Sequence, residues 1–300
     1  MVKNKSTKIK MSLGEKIFTV FNYLLFILIG IITLFPFLNI IAKSFSSEAA
    51  VISGKVSIIP VEFQLGTYKY VLANSQFINS FKVSVFITVA GTLLSLVMTV
   101  VAAYPLSKPR LRGRKIFTLI YIFTMLFSGG LVPTYILMSN LRLVNKLPIL
   151  ILPSLISVYN LLIIKSYFES IPDSLEESAK LDGASNTTIL FKIILPLSLP
   201  VFATIALFYA VGYWNNYFTA MIYITNPSLK PMQLYLKEML YAASDVFLQI
   251  NNKNIDATMN STPEAIQAAS IITATVPIVI VYPFLQKYFV KGVLIGSVKE

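Results

Sequence analysis

The residues with the clearest potential for chemistry are six aromatic and amide side chains in the second half of the chain. This aromatic–amide cluster comprises Tyr209, Tyr213, Trp214, Asn215, Asn216 and Tyr217. Aromatic rings stack on the apolar faces of sugars, and amides exchange hydrogen bonds with hydroxyl groups, so the cluster suits a carbohydrate. An aromatic belt at a membrane interface has the same composition and is the alternative. Because adjacent residues point to different faces of a helix, at most one of the two asparagines need line a pathway.

A second polar stretch, EESAKLDGASNTTILFKIILPLSLP, stands in a chain that is otherwise mostly apolar. Its pattern predicts two short helices separated by Gly183, which suits the left-handed residue at the end of a helix. Asp173 or Ser174 is the predicted cap of the first helix, and Ser185 or Asn186 that of the second. From the residues alone, an amphipathic helix lying on the lipid surface explains the stretch equally well.

The same stretch contains a motif with defined spacing. Its elements are Glu177-Ser178-Ala179, Gly183, Ile193 and Leu195-Pro196. They match the EAA loop, whose usual form is Glu-Ala-Ala, three residues, Gly, nine residues and Ile-x-Leu-Pro, with Ser178 as the one departure. The chain therefore resembles the permease subunits of bacterial ABC importers. In that family the loop forms a coupling helix that docks into a cleft on the ATPase subunit, which is helix-in-groove recognition.

The resemblance implies two sets of site residues. The implied ATPase-coupling residues are Glu176, Glu177, Ser178, Ala179, Asp182, Gly183, Ala184, Leu195 and Pro196. In the family the fifth helix lines the translocation path, which makes the aromatic–amide cluster the implied substrate path. We refer to residues 173–196 as the EAA stretch.

Other segments narrow the resemblance to one branch of the family. FSGGLVPTYILMSNLRLVNKLPILILP, YAVGYWNNYF and QKYFVKGVLIGSVKE are similar to permeases for polysaccharides and oligosaccharides, which are relatives of the smaller maltose-permease subunit. In such relatives a comparable tail reaches into the ATPase dimer interface, so residues 296–299 are expected there. A frayed terminus is the alternative.

Composition indicates an integral membrane protein. Of 300 residues 56% are hydrophobic and 13% are charged, and the mean hydropathy is +0.73; soluble domains average about 25% charged residues. We attribute the net charge of +12 to positive flanks of membrane spans rather than to nucleic-acid binding. The chain has no cysteine and no histidine, so it lacks a thiol nucleophile, the usual general base and the commonest metal ligand. We therefore predict no enzymatic activity and no cofactor in this chain.

Six apolar runs position these residues. The predicted spans are residues 17–41, 83–106, 116–138, 148–164, 194–224 and 266–286. The first run has 25 residues, too long for the roughly 7–15 of a signal-peptide core and enough for the roughly 20 of a span. In the third span, the Ser128-Gly129-Gly130 segment and Pro133 should kink the helix. The fifth is too long for one perpendicular span, and we expect it to tilt or to extend beyond the bilayer.

The charge flanks give the orientation. Sixteen of the 25 lysines and arginines fall in segments that this arrangement assigns to the cytosol, which places both termini inside. The predicted fold class is an all-α integral membrane protein with six transmembrane helices and the type I ABC importer permease fold. Its predicted parts are residues 1–75 (tail, first helix and external loop), 76–290 (permease core with the coupling loop 169–192) and 291–300 (cytosolic tail).

The spans as bounded contain no Asp, Glu, Lys or Arg, and the chain has no GxxxxGK[ST] loop. A secondary carrier usually needs intramembrane ionisable groups, and a nucleotide-binding subunit needs the phosphate loop. The predicted function is therefore half of an oligosaccharide path in the bacterial plasma membrane, driven by a partner that binds ATP and Mg²⁺. The expected partners are a second permease subunit, two ATPase subunits, an extracellular lipid-anchored sugar-binding protein and membrane lipid, without nucleic acid. Peptide or amino-acid cargo, a secondary carrier and a non-transporting scaffold are the alternatives.

Overall fold

The computed structural model describes residues 12–250 and 263–297, and every regular element among them is a helix, as the sequence predicts. Residues 251–262, which the sequence assigns to an external loop, and residues 298–300 of the predicted tail lie outside the described residues. The helices are α1 (Leu13–Ser44), α2 (Glu48–Ile52), α3 (Gly66–Ala73), α4 (Ser75–Ser107), α5 (Arg114–Leu126), α6 (Leu131–Asn140), α7 (Val158–Ser170), α8 (Asp173–Leu181), α9 (Asn186–Ile189), α10 (Leu195–Leu197), α11 (Leu199–Trp214), α12 (Phe218–Tyr223), α13 (Met232–Ile250) and α14 (Pro263–Ser297).

Three helices are individually long and apolar enough to cross a membrane: α1, α4 and the part Glu264–Val281 of α14. Three further pairs pass the same test only together. They are Arg114–Leu126 with Leu131–Asn140, Leu147–Ser154 with Val158–Ser170, and Asn186–Leu197 with Leu199–Trp214. These pairs are bent by 110°, 48° and 81° respectively. By length and composition, the described part of the chain therefore holds three spans, or up to six if each bent pair is one span.

Residues that interrupt helical hydrogen bonding lie at or just before each bend. Gly130, at φ 87°, separates α5 from α6, so the predicted kink is confirmed and amounts to a break. The predicted fourth span begins as two 3₁₀ turns over residues 147–154 rather than as α-helix, and each turn has a proline in its first two positions.

The predicted fifth span is not one continuous tilted helix. A π-helical turn over Leu190–Ile194 leads into α10, and the chain bends at Ser198 before α11 begins. Pro196 and Pro200 flank this bend, and neither has a backbone N–H to carry a helix through it. Breaks at Ser198 and after Trp214 therefore divide the predicted fifth span, whose length we expected to be taken up by tilt or by extension beyond the bilayer.

The described residues form two compact units. The larger one, drawn from Leu72–Asn252 and Thr273–Glu300, is organised around α4, which packs against α11 and α7. A row of small, buried residues follows α4 at intervals of four and seven: Ser84, Gly91, Ser95, Thr99 and Ala103. Small side chains let helix backbones approach closely, and this is how helices associate in membranes. Ile164, Ile194 and Ile205 fill the core beside α4.

The other unit, drawn from Met1–Val71 and Lys253–Ile272, is built on α1. A capping box between Ser12 and Glu15 begins this helix, and its apolar side chains are largely exposed, as expected of a surface that lipid covers. At the other end, the Asn39 amide donates to the carbonyl of Ser57 at 2.7 Å. The hydroxyl of Tyr68 donates to Ser44 Oγ at 2.8 Å. These bonds attach the segment after α1 to its last turns.

Candidate functional site

The EAA stretch folds as the sequence predicts in its centre and differs at its start. Gly183 follows Asp182, the C-cap residue of α8, and adopts the left-handed conformation at φ 80°. Ser185 Oγ accepts from the Thr188 N–H and caps α9. The predicted cap of α8 by Asp173 or Ser174 is wrong. Pro172 precedes the helix and no side chain caps it, so Asp173 is already helical. Its carboxylate lies in the first turn, where the helix dipole favours a negative charge.

The two glutamates of α8 have different environments. Glu176 is 4% exposed and forms an ion pair with Lys108, which follows α4 and is 8% exposed. Arg110 and Lys180 each place a nitrogen 3.9 Å from the second carboxylate oxygen of Glu176. Glu177, the next residue, is exposed. The resemblance implied the same role for both, and the structure separates them.

The opposite face of α8 is open. Glu177, Ser178 and Asp182 are exposed, and Leu181 is 90% exposed. Ala179 and Ala184 are partly buried and pack on the core, and a backbone bond from Ala184 N–H to the Ala179 carbonyl closes the end of α8. The helix thus has one face tied to the core and one that is free to bind.

Further polar contacts hold the chain on both sides of α8. Arg110 Nη2 donates to Asn186 Oδ1 at 2.9 Å, which ties the segment after α4 to the start of α9. Arg114 forms an ion pair with Glu169, near the end of α7, and Lys165 contacts the same carboxylate at 2.8 Å. The basic segment from Lys108 to Arg114, which runs from the end of α4 to the first residue of α5, therefore contacts the chain before, within and after α8.

A cavity of about 570 Å³ lies beside α11, and we call it the polar cavity. It falls within the usual size range of small-molecule sites, roughly 300–1,000 Å³. None of its lining side chains is charged; they carry hydroxyls, amides and aromatic rings. They are Ser154, Ser157, Tyr159, Asn160, Phe208, Tyr209, Gly212, Tyr213, Asn216 and Thr219.

Two tyrosines four residues apart on α11 form a ladder with α4. The Tyr209 hydroxyl lies 2.7 Å from Thr99 Oγ1 and accepts from the Ser157 N–H at 2.9 Å. The Tyr213 hydroxyl lies 2.8 Å from Ser95 Oγ and donates to the Ile151 carbonyl at 3.3 Å. The spacing of four on both helices puts all four side chains on facing sides. Each tyrosine hydroxyl already has two partners, so the cavity receives mainly ring surface from them.

The backbone of α4 makes room for this ladder at Gly91. A Cβ atom on Gly91 would lie 2.8 Å from the ring of Tyr213, closer than real carbon atoms approach. Only a residue without a side chain leaves the ring where its hydroxyl reaches both partners. Gly91 does not line the polar cavity, but its lack of a side chain fixes the position of the Tyr213 ring in the cavity wall.

The structure divides the predicted aromatic–amide cluster. Tyr209, Tyr213 and Asn216 line the polar cavity. Trp214 instead lines a separate apolar cavity with residues of α4 and α14. Asn215 donates to the Val211 carbonyl of its own helix at 2.9 Å.

The last member of the cluster, Tyr217, does not line the polar cavity either. The ammonium group of Lys237, on α13, lies 5.9 Å from the centre of its ring, and the same group is 4.9 Å from the Tyr241 ring. Such a cation over an aromatic face is an attractive contact in its own right.

Several lining residues were absent from the sequence prediction. Ser154, Ser157, Tyr159 and Asn160 come from the break in the fourth predicted span and the start of α7. A signal was present, because polar residues interrupt an apolar run there, but Ser157 and Asn160 also fit an ordinary helix start. Ser157 does accept from the Asn160 N–H as a cap, at 3.4 Å.

Comparison with known proteins supports the resemblance inferred from the motif. Residues 91–295 match the family described as binding-protein-dependent transport system inner membrane component. Protein LplC of Bacillus subtilis is 46% identical over 286 residues, covering 95% of each chain. The polygalacturonan/rhamnogalacturonan transport system permease protein YtcP of the same organism is 42% identical, covering 95% of this chain and 99% of its own.

A solved structure agrees with these sequences. One chain of a bacterial ABC transporter involved in the import of the acidic polysaccharide alginate superposes with a TM-score of 0.85 and is 35% identical, covering 94% of this chain and 99% of its own. These matches confirm the predicted likeness to carbohydrate permeases and to the type I importer fold. Residues 91–295, the segment that matches the family, include the EAA stretch, α4 from Gly91 onward and the polar cavity. The chain is a member of the family of inner membrane components of binding-protein-dependent transport systems.

Proposed function

We propose that this chain is one of two different permease subunits of an ATP-driven oligosaccharide importer in the bacterial plasma membrane. It crosses the bilayer six times, each bent pair counting as one span, with both termini in the cytosol. Two ATPase subunits bind ATP and Mg²⁺, and an extracellular lipid-anchored protein delivers the saccharide. The observation that carries the proposal is the two-faced α8 within a chain of this family.

The free face of α8 fits an ATPase groove. Leu181 supplies an apolar knob that is 90% exposed, and Glu177 and Asp182 supply negative charge around it. A short helix that offers one apolar anchor with a charged rim is suited to helix-in-groove binding. Because the other face is tied through Glu176 to Lys108, a displacement of α8 is passed to the end of α4.

A displacement of the end of α4 reaches the polar cavity through the hydrogen bonds between α4 and α11. α4 carries Ser95 and Thr99, which bond to the two cavity tyrosines on α11. A shift of α4 relative to α11 therefore strains or rearranges the ladder. We propose that ATP-driven closure selects one arrangement of these helices and nucleotide release the other, which exposes the path to alternate sides.

The cargo assignment rests on the polar cavity. A free amino acid brings two charges, and burying them needs paired charges that the cavity lining does not offer. Hydroxyl, amide and aromatic groups suit sugar rings. The names of the relatives agree with a saccharide cargo, since they include a permease protein for polygalacturonan and rhamnogalacturonan and a transporter of alginate.

Reconstitution tests the proposal. The chain is incorporated into proteoliposomes with its partner permease, its ATPase and the cognate binding protein, and uptake of radiolabelled oligosaccharides is measured with ATP and with a non-hydrolysable analogue. We expect ATP-dependent uptake. Calorimetry on the binding protein supplies the cargo control: binding of peptides or amino acids without any glycan contradicts the oligosaccharide assignment and leaves the importer assignment standing.

A further inference from the structure

Asn160 differs from the other polar residues of the cavity wall. Asn160 is 4% exposed and lines the polar cavity. Among the residues that the structure describes, no group forms a hydrogen bond with its side-chain amide; only its backbone N–H is bonded, to Ser157. The amide atoms are not among the fully buried polar atoms without a partner, so they reach the cavity, where water or a ligand can bond to them. The amide is therefore a group whose partner has to come from the cavity.

Several neighbouring polar groups already have partners within the protein. The two tyrosine hydroxyls bond to α4 and to the chain before α7, and Asn216 Oδ1 accepts from the Thr219 N–H at 3.3 Å. Of the wall residues that are buried, which are Tyr209, Tyr213 and Asn160, only Asn160 has no side-chain hydrogen bond to another described residue. Around it the aromatic residues Phe208, Tyr209 and Tyr213 supply ring surface.

We propose that Asn160 and these rings form a saccharide subsite in this subunit, in which the amide binds ring hydroxyls and an aromatic face carries the apolar side of the sugar. This inference rests on the proposed oligosaccharide import and assigns it a specific residue. The subsite reads hydroxyl groups rather than charge, because no charged side chain lines the cavity. It therefore favours neutral sugar units, because the lining offers no charge to pair with a carboxylate.

Two substitutions separate ligand binding from packing. Asn160→Leu keeps the branched shape and removes all hydrogen bonding, whereas Asn160→Ser leaves a small gap and keeps a hydroxyl that can bind the sugar directly or through water. A packing role predicts that Leu is tolerated better than Ser. The subsite predicts the reverse order: uptake at saturating loaded binding protein falls about tenfold in Asn160→Leu, the scale of one lost hydrogen bond, and by less in Asn160→Ser.

Thr92→Val is the matched control, because it also removes a buried hydroxyl that has no partner in the described part of the chain and it lies off the cavity wall. We expect its uptake to equal that of the unchanged complex. Uptake in Asn160→Leu that equals or exceeds uptake in Asn160→Ser overturns the subsite.

A binding measurement judges the subsite without transport. The chain has no cysteine, so Ser154→Cys places a single thiol at an exposed position of the cavity wall. The thiol is labelled with a small methanethiosulfonate in the solubilised complex without ATP, after any accessible cysteines of the other subunits have been replaced. We expect a galactose pentasaccharide at millimolar concentration to slow the labelling, a galacturonate pentasaccharide to slow it less, and Asn160→Leu to remove the protection. Unprotected labelling with both sugars overturns the subsite, whereas an unchanged complex that imports no saccharide contradicts the proposed function instead.

Discussion

Lys108, just beyond the last turn of α4, and Glu176, in the middle of α8, form a buried ion pair across 68 residues of chain. It joins the longest helix of the larger unit to the one stretch that carries the family motif. Taking both charges out of water is costly, and the structure compensates with Arg110 and Lys180 at the rim and with the Tyr104 ring 5.1 Å from the Lys108 ammonium.

The first prediction concerns this pair. Removing one partner of a buried pair leaves an uncompensated charge, so Glu176→Leu should lower the free energy of unfolding by about 3 kcal/mol. Lys108→Met should cost less, because Glu176 keeps two cations nearby. The double variant should regain most of the loss. Thermal unfolding of the purified complex in detergent measures all three, with the exposed Lys115→Met as control. A double variant no more stable than Glu176→Leu would refute the pairing.

The second prediction concerns the conformation of Gly183. At φ 80° a β-branched residue is strained, so Gly183→Val should cost roughly 1–2 kcal/mol locally and misalign α8 with α9. Space is not the obstacle, since no atom lies within 4 Å of a Cβ built there. Gly183→Asn, which tolerates this backbone, is the matched control. We expect normal membrane insertion for both, and lost transport for Val alone. Equal transport in the two variants would show that the turn does not position α8.

The third prediction separates the two faces of α8. Leu181→Asp and Glu177→Lys change the exposed face and should leave thermal stability within about 0.5 kcal/mol, because exposed substitutions seldom matter for folding. They should nevertheless weaken co-purification with the ATPase. Leu175→Ala, a change at the other exposed leucine of α8, tests whether any loss of apolar surface suffices. Normal ATPase binding by both face variants would remove α8 as the docking element.

The fourth prediction concerns Gly91. An alanine there would meet the Tyr213 ring at 2.8 Å and push its hydroxyl from Ser95 and Ile151. We expect a loss of about 1–3 kcal/mol from overpacking, together with reduced saccharide uptake. Gly30→Ala, on α1, is the control for glycine substitution in a helix, because a Cβ there meets no atom within 4 Å and Gly30 does not line the polar cavity. If Gly91→Ala were as active and stable as the parent, the ladder would not require this contact.

The fifth prediction concerns topology. Single cysteines at the exposed positions Ser57 and Ser228 should react with impermeant thiol reagents in intact cells. Cysteines at the exposed positions Arg112 and Ser185 should react only after permeabilisation, because the proposed ATPase contact lies in the cytosol. Labelling of Ser185→Cys in intact cells would reverse the orientation.

Much of this architecture follows from local patterns. A chain with 56% hydrophobic residues and apolar runs of membrane length is confined to helices, because lipid cannot satisfy open backbone groups. Gly183 and Ser185 marked the turn between α8 and α9 because their conformational and capping preferences act over four residues. The EAA spacing identified the family in the same way, since the motif is contiguous in the chain.

What the tertiary structure decided are relationships between residues far apart in the chain. Adjacent glutamates in one motif look alike in sequence, and only the approach of Lys108 buries Glu176 and leaves Glu177 exposed. Likewise the members of the aromatic–amide cluster lie close together in the sequence. The helical geometry of α11 nevertheless directs the adjacent residues Tyr213 and Trp214 into different cavities. Asn160 joins Tyr213 at one wall because the break before α7 folds against α11. The sequence by itself determined which groups were present, and the packing of α4, α7 and α11 determined which were buried, paired or left without a partner.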